Sequence, residues 1–121
     1  MATEQIDRDR WSAYFDELTR SLRGKLAEIE VASLDLGDQT LAQWMPLIGI
    51  AYDGKDDLIE IALESVDHLV RAPRQVFVDV ADAGIGTIAI VDRDGSQQIV
   101  RFRDPLALAA PVAASRGTSG E

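Results

Sequence analysis

Residues 47–63 read LIGIAYDGKDDLIEIAL, two apolar runs on either side of the polar five Asp53, Gly54, Lys55, Asp56 and Asp57. Each run is short and rich in β-branched residues, and the segment between them is made of turn formers, so the stretch predicts a β-hairpin. Side chains alternate along a strand. That period sets Ile48, Ile50 and Tyr52 on one face and Ile59, Ile61 and Leu63 on another, both expected to feed a single core.

Outward from this hairpin the same rhythm continues. Polar turns recur at Glu64–Asp67, Ala72–Arg74, Ala81–Gly84 and Asp92–Gly95, and between them lie His68–Arg71, Gln75–Val80, Ile85–Val91 and Gln97–Arg103. Connections this short force neighbouring strands to run antiparallel, because a parallel return needs a crossover of about a dozen residues. Upstream, Ile29 and Val31 alternate with Glu28 and Glu30 in one more half-buried strand that begins near Lys25. Between Asp35 and Met45 the pattern loosens: residues 36–39 read as a turn, and Thr40–Met45 as a short helix or an irregular crossing before Pro46.

The N-terminal part has a different period. Trp11, Tyr14, Phe15, Leu18 and Leu22 share one helical stripe, which predicts an amphipathic helix over about residues 8–23. Asp7 is placed to cap its start, and Gly24 to end it in a left-handed turn. The fold class expected is therefore mainly β (α+β). One amphipathic helix precedes an antiparallel meander of about six or seven short strands, curled into a small barrel or roll that removes exposed edges. One domain is expected over residues 1–108, with a disordered tail over 109–121.

Composition narrows the function classes. The 121 residues carry 21 Asp and Glu against 12 Lys and Arg, a net charge of −9 that opposes binding to nucleic acid or to an anionic membrane. With no cysteine there is no thiolate nucleophile and no sulfur-ligated metal. The N-terminus lacks the basic and apolar regions of a signal peptide, and the apolar runs are too short to span a bilayer, so a cytoplasmic protein is expected.

His68 is the single histidine, which excludes a multi-histidine metal site. Asp53, Asp56, Asp57, Glu60, Glu64 and Asp67 surround the central hairpin, but their spacing suits neither a cation site nor a catalytic carboxylate pair. Asp92-Arg93-Asp94-Gly95 begins like a calcium loop and then places Gln97 and Arg103 where such a loop needs Gly and Glu. No phosphate-binding glycine loop or nucleophile elbow is present. No catalytic residue, metal or cofactor is expected. Arg71, Arg74, Arg101 and Arg103 form a mild basic group, a candidate contact for an anion or an acidic partner.

Taken in order, WSAYFDELTR at 11–20, DLGDQ at 35–39, PLIGIAYDGKDDLIEI at 46–61, DHLVRAPRQVFV at 67–78 and FRDPLAL at 102–108 resemble a family of small bacterial proteins catalogued as a domain of unknown function. That resemblance implies no activity. A helix followed by Gly24-Lys25 and by Gly49–Asp53 is also similar in architecture to the Sm-like RNA-binding barrels. Those barrels carry an Asn-Leu pair where this chain has Asp57-Leu58, and a later Gly-rich basic motif that it lacks. The function expected is a non-enzymatic protein-interaction or structural module that associates with a protein partner or with itself through strand edges. The alternative is a small-ligand or RNA-binding barrel of Sm-like or SH3-like form that uses the arginines.

Overall fold

The computed structural model describes residues 2–107 apart from 34 and 36. In chain order they form β1 (Ala2–Ile6), a 3-10 turn (Arg8–Arg10), α1 (Trp11–Arg20), β2 (Leu26–Ser33), β3 (Gly37–Asp53), β4 (Leu58–Leu63), β5 (Asp67–Arg71), β6 (Pro73–Ala81), β7 (Gly84–Asp92) and β8 (Gln97–Leu106). All pairings are antiparallel, in the order β1-β6-β7-β8-β2-β3-β4-β5. Two meanders, β2–β5 and β6–β8, are thus joined side by side where β8 pairs with β2.

The barrel expected from the strand pattern does not close. β6 follows β5 after Ala72 alone, yet β6 gives one edge to β7 and the other to β1. β1 occupies the Val76–Val80 stretch of the edge that β5 would need, so β5 does not pair with β6. β1 was not expected: of ATEQI only Ile6 is apolar and buried, so the segment carries no alternation to read. It exists as a strand because the β6 edge needs hydrogen-bond partners.

The helix is shorter than the 16 residues expected. Arg8–Arg10 wind as a 3-10 turn, and α1 keeps ten residues that bury Trp11, Tyr14, Phe15 and Leu18 against the sheet. Asp7 does not cap with its carboxylate; its backbone carbonyl accepts the Arg10 N–H at 2.9 Å. Past the helix Arg23 (φ 46°) and Gly24 (φ 75°) both turn left-handed and lead the chain into β2. Burying each large apolar side chain contributes about 1.5–3 kcal/mol, which far outweighs the local propensity of so short a helix.

Thr40–Met45 is neither helix nor crossing but part of the 17-residue β3. This strand carries one extra residue at each of its three register shifts. Against β2, two residues (Gln43 and Trp44) face Glu28 alone, and Leu41 has no opposite number between Ala42 and Thr40; against β4, Ile48 stands unmatched between Leu47 and Gly49. The third bulge corrects the expected hairpin face. Leu47 and Ile50 are buried, while Ile48 is turned out and is 59% exposed.

The expected tail at 109–121 lies outside the described residues.

Candidate functional site

The acidic hairpin turn is occupied by its own backbone. Asp53 Oδ1 accepts the Lys55 N–H at 3.0 Å and the Asp56 N–H at 3.4 Å, and Asp92 Oδ1 does the same for Asp94 and Ser96 in the β7–β8 turn. Both carboxylates hold turns. Among the described residues no three His, Asp or Glu side chains gather in an arrangement able to hold a metal ion.

Asp57 takes part in a clasp. Arg8 donates to Asp57 Oδ1 at 3.0 Å, to the Tyr52 hydroxyl at 3.0 Å and to the Pro73 carbonyl at 2.7 Å, and its guanidinium lies 4.4 Å over the Trp11 ring. Tyr52 meets the same indole edge-on at 5.1 Å and donates to Asp57 at 3.0 Å. Desolvation opposes the Asp57 charge, but the hydrogen bonds from Tyr52 and Arg8 prevail and hold its carboxyl below the usual range. The clasp ties the start of α1 to the hairpin turn and to β6. Its groups are bonded to one another, with the Arg8 and Asp57 side chains each 47% exposed.

His68 points inward from β5, level with the buried Ile61 of β4, and Gln98 of β8 is itself buried and donates to the Ile90 and Ser96 carbonyls at 3.2 and 3.1 Å. The His68 Nε2 is buried and has no hydrogen-bond partner among the described residues. Burial pushes the imidazole below its ordinary 6.5, and the nearby Gln98 side chain opposes this only in part. A folded pKa below the unfolded one means that the unfolded chain binds more protons. Stability is therefore complete above about pH 6.5 and falls as the pH drops below it, with a slope of at most about 1.4 kcal/mol per pH unit. Urea midpoints measured between neutral and mildly acidic pH check this; a His68→Leu variant is expected to flatten the slope, and an unchanged slope would refute it.

The four arginines do not share one site. Arg101 is held by Glu30 at 2.6 Å and Glu28 at 3.3 Å, and those hydrogen bonds raise its pKa and lower that of Glu30. It stands in a row that the register runs across five strands, Thr3, Asp79, Thr87, Arg101 and Glu28. Arg71 and Arg74 flank the Ala72 kink, and Arg74 lies five residues along β6 from Asp79, roughly 16 Å at about 3.3 Å per residue. Arg103 is exposed near the end of β8.

The surface that stands out is on β3. Four large apolar side chains are exposed among the described residues, Leu41, Trp44, Ile48 and Leu69, and the first three occupy the three register shifts of β3. Bulges turn side chains away from the direction that regular pleating gives them. Trp44 adopts φ 46°, a left-handed conformation that costs a bulky residue energy. The sequence pattern puts Ile48 on a core-facing side with Ile50 and Tyr52, and gives Leu41 and Trp44 no face at all. The signal available was a tryptophan in a segment without period, two residues before Pro46.

Next to Ile48, α1 and β3 enclose an open groove of about 330 Å³. β2 stops pairing at Pro46, so the β3 edge beyond it needs other partners. Thr19 supplies them: its hydroxyl accepts the Ile50 N–H and donates to the Ile50 carbonyl, both at 3.0 Å. Gly49 makes room for that approach, since a Cβ there would lie 3.0 Å from the Thr19 methyl.

A family model described as a family of unknown function, DUF5335, matches residues 2–111. An uncharacterised protein of Aquifex aeolicus is 38% identical over 109 residues, covering 89% of this chain and 98% of the relative. No solved structure matches the chain. No helix among the described residues is long and apolar enough to cross a membrane.

Proposed function

The chain belongs to the family of unknown function DUF5335, and from this premise we propose that it is a non-enzymatic protein-interaction module whose contact surface lies on the bulged strand β3. One observation carries the reading: a large apolar side chain is exposed at each of the three places where β3 gains a residue. Exposed apolar groups set by bulges, with a strained backbone at Trp44, are better explained by a contact than by the fold's own packing.

The groups capable of chemistry support the same reading. Asp53 and Asp92 hold turns, Asp57 is clasped by Arg8 and Tyr52, and His68 faces the interior. The alternative, an anion or RNA site at Arg71, Arg74, Arg101 and Arg103, draws less support because Arg101 is already bound to two carboxylates.

The test compares the wild-type chain with a Leu41→Ser/Trp44→Ser variant, both checked for a cooperative melt, as bait in the native host's extract. A partner retained by the wild type is expected to be lost by the variant, and equal retention by both would refute the assignment. A rise in Tm with metal ions, nucleotides or short RNA would favour the ligand-binding alternative instead.

A further inference from the structure

The register of β3, β4 and β5 builds one outward face. Gly49, Ala62 and Asp67 stand level across the three strands, and Ala51, Glu60 and Leu69 form the next row on the same side. Gly49, Ala51 and Ala62 are small, so they leave the groove beside α1 hollow. Ile48 projects at its rim and Leu69 adds a second exposed aliphatic on β5, whose outer edge has no strand partner among the described residues. Asp16 and Arg20 of α1 complete the wall, with Glu60 at the other side.

We propose that this face is a two-fold contact between two copies of the chain, with Ile48 of each copy entering the groove of the other. The proposal rests on the interaction-module reading and names the occupant of one part of that surface. A two-fold contact uses the same patch twice, so the patch must hold both a projection and a matching hollow. Here the projecting Ile48 and the hollow floored by Gly49, Ala51 and Ala62 lie side by side, and the hollow is roomy enough for a branched aliphatic side chain. The rim charges are self-complementary in the same way, since Arg20 on one copy has Asp16 and Glu60 available on the other. A partner of one charge sign would satisfy only part of that rim.

The net charge sets how the contact responds to salt. Two chains of −9 repel at long range, and salt screens that repulsion while leaving the apolar centre intact. Salt also weakens the exposed rim pairs, but each contributes under about 1 kcal/mol, so the loss of repulsion dominates and association tightens as salt is raised.

Sedimentation of the full chain over a concentration series, at low and high salt, tests the proposal. The wild type is expected to show a monomer–dimer equilibrium that shifts towards dimer with salt. Ile48→Asp, which places a charge on the projection, and Ala62→Leu, which fills the hollow from a different strand, are each expected to weaken the dimer at least about tenfold. Ile48 is exposed, so Ile48→Asp is expected to keep the wild-type melt and circular dichroism and remains informative if Ala62→Leu disturbs packing. A wild type that stays monomeric at every concentration, a dimer that salt dissociates, or a dimer unaffected by Ile48→Asp would overturn the contact. Those outcomes leave retention of a partner through Leu41 and Trp44 untouched, so the two readings fail separately.

Discussion

Trp11→Ala is expected to remove about 4–6 kcal/mol of stability, enough to leave much of the protein unfolded if it has the usual 5–15 kcal/mol. Trp11 is 1% exposed and stands where the start of α1, β1 and the hairpin meet. Its indole N–H donates to the Ile6 carbonyl at 2.9 Å, Tyr52 packs against its edge, and the Arg8 guanidinium lies over its face. Truncation opens a cavity in a site that β1 and α1 cannot easily collapse around. It also strands the buried Ile6 carbonyl, which adds about 1–3 kcal/mol. The clasp loses its floor as well, because Arg8 and Tyr52 are placed partly by the ring. Urea denaturation measures the loss, with Trp11→Phe as the comparison that keeps most of the volume and loses the N–H. A loss below about 1.5 kcal/mol would show that the β1–α1 corner contributes little to the fold.

Gly84→Ala is expected to be nearly as damaging, although it adds a single methyl group. Gly84 opens β7 at φ 125°, a conformation that L side chains rarely adopt, and its missing Cβ would fall onto the Leu106 carbonyl group. The neighbour is backbone, so it cannot swing aside as a long side chain would. Ile85 pairs with Leu106 at the same place, and movement there pulls apart the end of the β7–β8 ladder. A cost of about 3 kcal/mol or more is expected from the strained conformation together with the clash. Gly86→Ala serves as the control, since a Cβ there meets nothing within 4 Å and Gly86 has no positive φ. Equal midpoints for the two variants would refute the steric argument.

The strands were readable because their cause is local. Alternation in 58–63, 75–80, 85–91 and 97–103 marks segments with one face in a core, and each became β4, β6, β7 or β8 within a few residues. The Asp53 and Asp92 turns were readable for the same reason, since an aspartate oxygen reaches N–H groups two to four residues away. The short helix was visible in the spacing of Trp11, Tyr14, Phe15 and Leu18, though not its early end at Arg20.

The residues of the proposed surface were hidden because their exposure depends on strands far away in sequence. Ile48 belongs by alternation with Ile50, and only the pairing of Leu47 with Leu63 and of Gly49 with Ala62 turns it outward. Leu41 and Trp44 are displaced by the β2 register in the same manner. The Arg8 clasp joins positions 8, 52, 57 and 73, which no local pattern connects.

Local chemistry therefore decided which segments are strands, where they turn and that one helix precedes most of them. Tertiary structure decided that β1 caps β6 and keeps the sheet open, and that β3 accommodates three extra residues. The physical reason is that a bulge or a sheet edge is a relation between two strands. Its energy lies in backbone hydrogen bonds that exist only once both strands are in place.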